Sequence, residues 1–256
     1  MNYEEGKSGA LKRTKVRIRP AHFSECMICG KPLVYSGTET MRKCAVCGRE
    51  YSAGAACRDG HYVCDNCHSA AAAKDFGEYL LKSRERDAIK LFEGVMALPG
   101  VHMHGPEHHA IVPCVLLTAY RNNGGKIDYI RAAAEIKKRA EKVPGGACGY
   151  WGVCGAAAGA GIYMSAVLGS NPLNKDVWNI PIKLVSRCLA RIAGTGGPRC
   201  CKRTSRIAIE EAAQFTEEIL NIHIPAKRAV CRYAAKNREC IGDKCPYFGK
   251  DKDNGF

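Results

Sequence analysis

The alternation of apolar and polar positions divides the chain into a front without a helical repeat and a long remainder that has one. Residues 70–98 carry two helical patterns, roughly 70–82 and 85–97, closed by Pro99-Gly100. Residues 110–122 are apolar up to Tyr120. Pro106 suits the start of that helix, and Pro113 is expected to kink it or delay its start. Asn122 to Gly125 reads as a turn, and 127–142 as an amphipathic helix whose outer face carries Glu135, Lys137, Lys138, Arg139 and Glu141. Gly155 to Ile162 is built from the smallest side chains. Gly155 and Gly159, like Ala157 and Gly161, are four apart, which puts a smooth strip on one helix face. After a break at Gly169 to Leu173, residues 176–193 give another helix, with Cys188 as a core residue. Pro198 suits a first helical position, with Arg199, Cys200 and Cys201 in the first turn and Ile207 to Leu220 continuing the helix.

The front behaves differently. Residues 1–20 form a basic arm in which Lys15, Arg17 and Arg19 alternate with Val16 and Ile18, a pattern predicting a short strand that ends at Pro20. Residues 22–68 hold Cys26-x2-Cys29, Cys44-x2-Cys47, Cys57-x3-His61 and Cys64-x2-Cys67. Short loops of this kind let two ligands grip one ion, and eight ligands serve two ions. Cys44 to Gly48 reads as a zinc knuckle, and Cys64-x2-Cys67 runs straight into a helix. A knuckle paired with a helix start resembles a treble-clef finger, leaving Cys26, Cys29, Cys57 and His61 for the second ion. The rival pairing is sequential, with Cys26, Cys29, Cys44 and Cys47 on one ion. Metal binding would supply the stability that so little apolar sequence cannot, on the order of 10 kcal/mol per site. The expected architecture is mainly α: a basic arm (1–20), a small treble-clef-like zinc module (21–70) and a helical Cys/His-rich domain with its own metal site (71–256).

Composition narrows the chemistry. The 256 residues include 16 cysteines, largely in short-spaced pairs. Reduced thiols serving metals in the cytoplasm fit this better than a secreted disulfide framework, and a reducing, anaerobic host fits it well. No apolar run follows the first residues, and nothing approaches a membrane span, so neither a signal peptide nor a membrane partner is expected. The formal charge of +14 counts every cysteine as neutral, whereas a zinc ion held by four thiolates carries roughly −2. The chain stays basic, with clusters in 12–19, 187–206 and 227–238, which suits nucleic acid such as tRNA or an anionic small molecule.

Three further stretches carry chemistry. Cys148 and Cys154 lie in a glycine-rich turn, and Cys200 and Cys201 in a second, followed by Lys202 and Arg203. A cysteine at a helix start has its thiol pKa lowered. The two turns are expected to face each other across one site holding a metal or a reactive thiol pair. Residues 102–109 contain four histidines and Glu107; His104, Glu107 and His108 could move protons or bind metal. Cys231, Cys240 and Cys245-Pro246 form a third group, and cysteine followed by proline is common in iron–sulfur proteins. Three ligands are one short of a closed set, so this group could recruit another residue, stay open, join the central site or form a small zinc loop.

Together, HGPEHH, CGYWGVCGAAAGAGI, GGPRCCKR and CIGDKCPY behind a cysteine-rich finger resemble an uncharacterised domain family of anaerobic bacteria and archaea, over roughly residues 24–248. That resemblance implies a domain standing alone or appended to methyltransferase-like or radical-SAM-type proteins, without a known activity. Cys154-Gly-Ala-Ala before a small-residue helix is similar to the cluster region of iron–sulfur serine dehydratases and cysteine desulfidases, which implies three cysteines holding a [4Fe-4S] cluster with an open iron. No Cys-x3-Cys-x2-Cys triplet occurs, so the chain is not itself a radical-SAM enzyme. The leading expectation is an iron–sulfur lyase or sulfur-transfer enzyme. Cys148, Cys154 and Cys200 or Cys201 would hold the cluster, and Lys202 and Arg203 would hold an anionic substrate. The alternatives are a zinc-finger protein binding tRNA beside a modifying enzyme, and a thiol redox or metal-handling protein using Cys200-Cys201.

Overall fold

Cysteine turns, rather than apolar residues, organise the front of the chain. The computed structural model describes residues 26–29, 31–98 and 101–249; the basic arm and the strand expected at its end lie outside these. β1 (Leu33–Lys43) and β2 (Glu50–Cys57) form an antiparallel hairpin. Its turn is Cys44 to Gly48, where Gly48 takes φ of 71° and donates its N–H to the Cys44 carbonyl at 2.9 Å. Positive φ is open to glycine at no steric cost.

The remainder is mainly helical: α1 (Asp65–Lys82), α2 (Ala88–Met96), α3 (Glu107–Asn122), α4 (Tyr129–Ala140), α5 (Ala147–Tyr150), α6 (Gly155–Leu168), α7 (Asn179–Thr195) and α8 (Cys201–Leu220), then irregular chain with two short 3-10 turns. α1 starts earlier than its apolar pattern, because Cys64 stands extended as its N-cap and Asp65 follows in the first turn, where negative charge is favoured. α2 starts later, at the point where the Asp87 carboxylate accepts the N–H groups of Ile89 (2.9 Å) and Lys90 (3.1 Å). No helix among the described residues is long and apolar enough to cross a membrane.

α3 runs through the middle of the core, with Ile111, Val112, Val115, Leu116 and Leu117 fully buried. It is one element across Pro113, so the alternative of a delayed start does not hold. The reason lies on α6. A side chain at Gly159 would sit 2.9 Å from both the His109 carbonyl oxygen and the Pro113 ring. The small-residue strip therefore leaves room for the proline ring and for the carbonyl that lacks its usual N–H partner. Cys188 on α7 is fully buried in the core, as expected.

α8 corrects a second expectation. It begins at Cys201, with Cys200 extended (φ −146°) as N-cap, and the Gly197–Pro198 peptide is cis. Pro198 and Arg199 therefore stand outside the helix rather than in its first turn. The first part of α8 is buried and polar. Lys202, Arg203, Thr204, Ser205 and Arg206 are each at most 7% exposed, and Arg206 pairs with Glu93 at 2.6 Å.

Candidate metal centres

In the front module, two interleaved sets of side chains could each hold an ion. They are Cys26, Cys29, Cys57 and His61, and Cys44, Cys47, Cys64 and Cys67, the ligand atoms of each set lying within 4.8 Å of one another. Sulfur–metal bonds of ~2.3 Å in a tetrahedron put sulfurs ~3.8 Å apart. Cys29 and Cys57 are 3.8 Å apart, Cys47 and Cys64 3.9 Å, and Cys57 lies 3.5 Å from His61 Nδ1. Backbone donors prepare these thiols for metal. Burial opposes ionisation of Cys44, but the N–H groups of Cys64, Cys47 and Val46 bring its thiol down to about 6. The same contest, with the N–H groups of His61 and Asp59, leaves Cys57 at about 7. Cys67 moves the other way, pushed up to about 12 by hydrogen bonding to its neighbour Cys64, burial and the thiols of Cys47 and Cys44. Without a cation, the cluster cannot ionise all four at once.

The two downstream cysteine turns do meet, through one cysteine of the adjacent pair. Cys148, Cys154 and Cys201 line a cleft of about 440 Å³ together with His108, His109, Arg199 and Arg203. Cys148 sits in α5, Cys154 is the N-cap of α6, and Cys201 opens α8. Among the described residues, these three sulfurs do not all fall within 4.8 Å of one another. The expected lowering of the thiol pKa at the α8 start is reversed. Burial pushes Cys201 up to about 12 and raises Cys200 and Cys148 as well, outweighing the helix N-terminus and the nearby Arg199 and Arg203 guanidinium groups.

Cys200 faces the opposite way. With Cys231, Cys240 and Cys245 it lines a second cavity, whose wall also holds Lys202, Arg203, Arg206, Tyr233 and Asn237. Asn237 Nδ2 donates to Cys200 Sγ at 3.5 Å and the Tyr233 N–H to Cys231 Sγ at 3.4 Å. The C-terminal group thus finds a fourth cysteine in Cys200. No three of these sulfurs come mutually within 4.8 Å, in contrast to the front module. Three basic side chains at the wall would balance the negative charge of a metal bound by four thiolates.

The histidine stretch divides: His108 and His109 line the cleft, and His104 lines the cavity beside the hairpin. His104 is buried: its Nε2 lies 3.0 Å from Glu239 and 3.1 Å from Asn237, and its Nδ1 accepts the Cys201 N–H at 3.4 Å. Burial, joined by Arg199, holds its pKa below the usual value. His108 is fully buried, and burial takes it down to about 3 despite the neighbouring Glu107 carboxylate. It is therefore neutral. Its Nδ1 lies 3.2 Å from the Gly105 carbonyl, which makes Nδ1 the N–H donor, and its Nε2 is buried without a partner. Glu107 faces away from the cleft, toward His68 and His102. Lys202 is likewise turned from the cleft, donating to the His102 carbonyl at 3.0 Å with Met96 Sδ at 3.4 Å.

Sequence reasoning passed over two participants. Arg199 lines the cleft and donates to the Tyr35 hydroxyl at 2.7 Å. Asn237 touches both His104 and Cys200. Arg199 could have been found from its place between Pro198 and Cys200; nothing in the local sequence marks Asn237.

Residues 76–248 match the model of a family of unknown function (DUF5714), a narrower span than the motifs suggested and one that leaves the front module outside. No curated protein matches the chain, and no solved structure does.

Proposed function

We propose that this chain, which belongs to the DUF5714 family, is an iron–sulfur-dependent enzyme of the lyase or sulfur-transfer class acting on a small anionic substrate. The observation that carries this reading is the convergence of Cys148, Cys154 and Cys201, from three separate segments, on one cleft that also holds a partnerless imidazole nitrogen. Three thiols spaced more widely than around a single ion suit a cuboidal cluster, and a three-cysteine cluster supplies an open, Lewis-acidic iron when bound. His108 orients the substrate. Its Nδ1–H is committed to the Gly105 carbonyl, so the neutral ring has an Nε2 lone pair free to accept a hydrogen bond from the substrate. Arg199 and Arg203 draw the anionic group into the cleft.

Cys200, Cys231, Cys240 and Cys245 hold a second, closed cluster in this reading, with Lys202, Arg203 and Arg206 offsetting its charge. The front module is a treble-clef-like scaffold for two zinc ions. A free-thiol redox role is less well supported, because the Cys201 thiol, pushed up to about 12, is a poor nucleophile without a metal.

Anaerobic purification of the full chain with iron, zinc and acid-labile sulfide analysis tests the proposal. The expected product is brown, with acid-labile sulfide accompanying the iron and at least two zinc ions per chain. A colourless protein containing zinc alone would end the reading.

A further inference from the structure

One cluster of metal-ligand side chains belongs to neither the zinc module nor the cysteine cavities. His68, His102 and Glu107 place one ligand atom each within 4.8 Å of one another. His68 Nδ1 lies 3.1 Å from Glu107 Oε2, His102 Nδ1 lies 3.5 Å from Glu107 Oε1, and the two imidazole rings are 4.5 Å apart between centroids. We propose that these three residues form a third, mononuclear site for a divalent first-row transition ion, zinc or ferrous iron, with coordination positions left open. This inference does not depend on the iron–sulfur reading.

The distances are those an ion would impose. Metal–nitrogen and metal–oxygen bonds of ~2.0–2.1 Å in a tetrahedron separate neighbouring ligand atoms by ~3.3 Å. The distances from His68 to Oε2 and from His102 to Oε1, 3.1 and 3.5 Å, fall on either side of that value, one at each carboxylate oxygen. The hydrogen bonds leave one ring nitrogen over: His68 Nδ1 is hydrogen-bonded to Glu107 Oε2 at 3.1 Å, but His102 Nδ1 is not. His102 Nδ1 is buried and has no hydrogen-bond partner although it faces the carboxylate. The Glu107 side chain is completely buried, and no Lys or Arg forms an ion pair with it among the described residues. Its Oε1 accepts the His102 N–H at 3.2 Å, which fixes the carboxylate between the two rings. A buried carboxylate facing two imidazoles is a strong cation ligand, and two histidines with one carboxylate leave room for water or substrate.

The fold explains why these residues meet. Cys67 and His68 are consecutive in the first turn of α1, and the ~100° step between helix neighbours turns one toward the zinc module and the other toward the α3 start. His102 comes from the loop before α3, and Glu107 is the first residue of α3. His68 also lines the cavity between the hairpin and the helices, beside His104, Gly105 and Arg199, which gives an exogenous ligand a way in. The site joins a residue outside the family match, His68, to two inside it.

The test is metal content of full-length protein purified anaerobically, comparing wild type with His102→Ala. His102 is partly exposed and comes from the loop before α3, so its removal leaves all eight front-module ligands in place. The expected result is loss of one equivalent of zinc or of iron, with sulfide unchanged; the metal that falls identifies the ion. Rebinding of that metal to the variant should weaken by more than the roughly 10–100-fold typical of losing an outer-shell partner. Unchanged zinc, iron and rebinding would overturn the site and leave an ion-pair network only. His68→Ala supplies a second reading: it should lose the same single equivalent, and retention of that metal would also overturn the proposal.

Discussion

Cys200 and Cys201 are neighbours in sequence, yet their sulfurs serve different cavities: Cys200 lies with Cys231, Cys240 and Cys245, and Cys201 with Cys148 and Cys154. The separation follows from the start of α8, where an extended N-cap residue is followed at once by helix. If both cavities hold clusters, a single peptide unit connects them.

Substitutions should therefore divide the iron. Cys231→Ser is expected to remove the closed cluster and keep the one in the cleft, while Cys201→Ser does the reverse. Iron and sulfide per chain, with electron paramagnetic resonance after reduction, would distinguish the two. Complete loss of iron from both variants would argue for a single shared centre.

Protonation of His108 offers a check that needs no substrate. Its folded-state pKa is depressed to about 3 by burial, against roughly 6.5 in an unfolded chain. Between these values the unfolded state binds more protons, so stability contributed at neutral pH is lost as pH falls through this window, by at most ~1.4 kcal/mol per pH unit. Nitrogen-15 NMR should show an unprotonated Nε2 from neutral pH down to about pH 5. Denaturation of His108→Gln should depend less steeply on pH below 6.5 than wild type. A wild-type imidazole that titrates near neutrality would contradict the buried placement.

Packing between α3 and α6 predicts a stability effect remote from any metal. Gly159→Ala forces a methyl group against the His109 carbonyl and Pro113 and should cost ~1–3 kcal/mol in chemical denaturation. The same substitution at Gly149, which has no atom within 4 Å of an added side chain, should leave packing unchanged.

Asp65 ties the first turn of α1 to the cysteine loop by accepting the Gly145 N–H at 2.5 Å. Removing it in Asp65→Ala should cost at most ~1 kcal/mol, because the bond is solvent-exposed and screened. Zinc content should hold while iron at the Cys148 site falls, and protease cleavage near residue 145 should quicken. Equal iron retention would show that the loop is held by other contacts.

Local chemistry was legible and long-range direction was not. Cysteine pairs at x2 spacing and Cys57-x3-His61 point to metal sites because such short loops let two ligands grip one ion. The helical periods located most of the helices. Proline rules left a delayed start of α3 open at Pro113, because the glycine that accommodates it lies forty-six residues away on α6. The same blindness placed Arg199 and Cys200 inside α8 and gave Cys201 a lowered pKa, since burial is a property of the assembled core. Nothing in the sequence around His68 points to Glu107; only the return of α3 beside α1 brings the two together. The likeness drawn on Cys154-Gly-Ala-Ala rested on a helix start, and its small residues have an independent use against α3.

Three contacts run from the front module to the cysteine cleft: Asp65 to Gly145, Tyr150 to the Ser36 carbonyl and Arg199 to the Tyr35 hydroxyl. Each begins in a segment that zinc would fold. Maturation of the protein would then have a sequence of its own, with zinc delivered before the cleft can receive iron. Zinc starvation would silence the cleft in a cell with iron to spare.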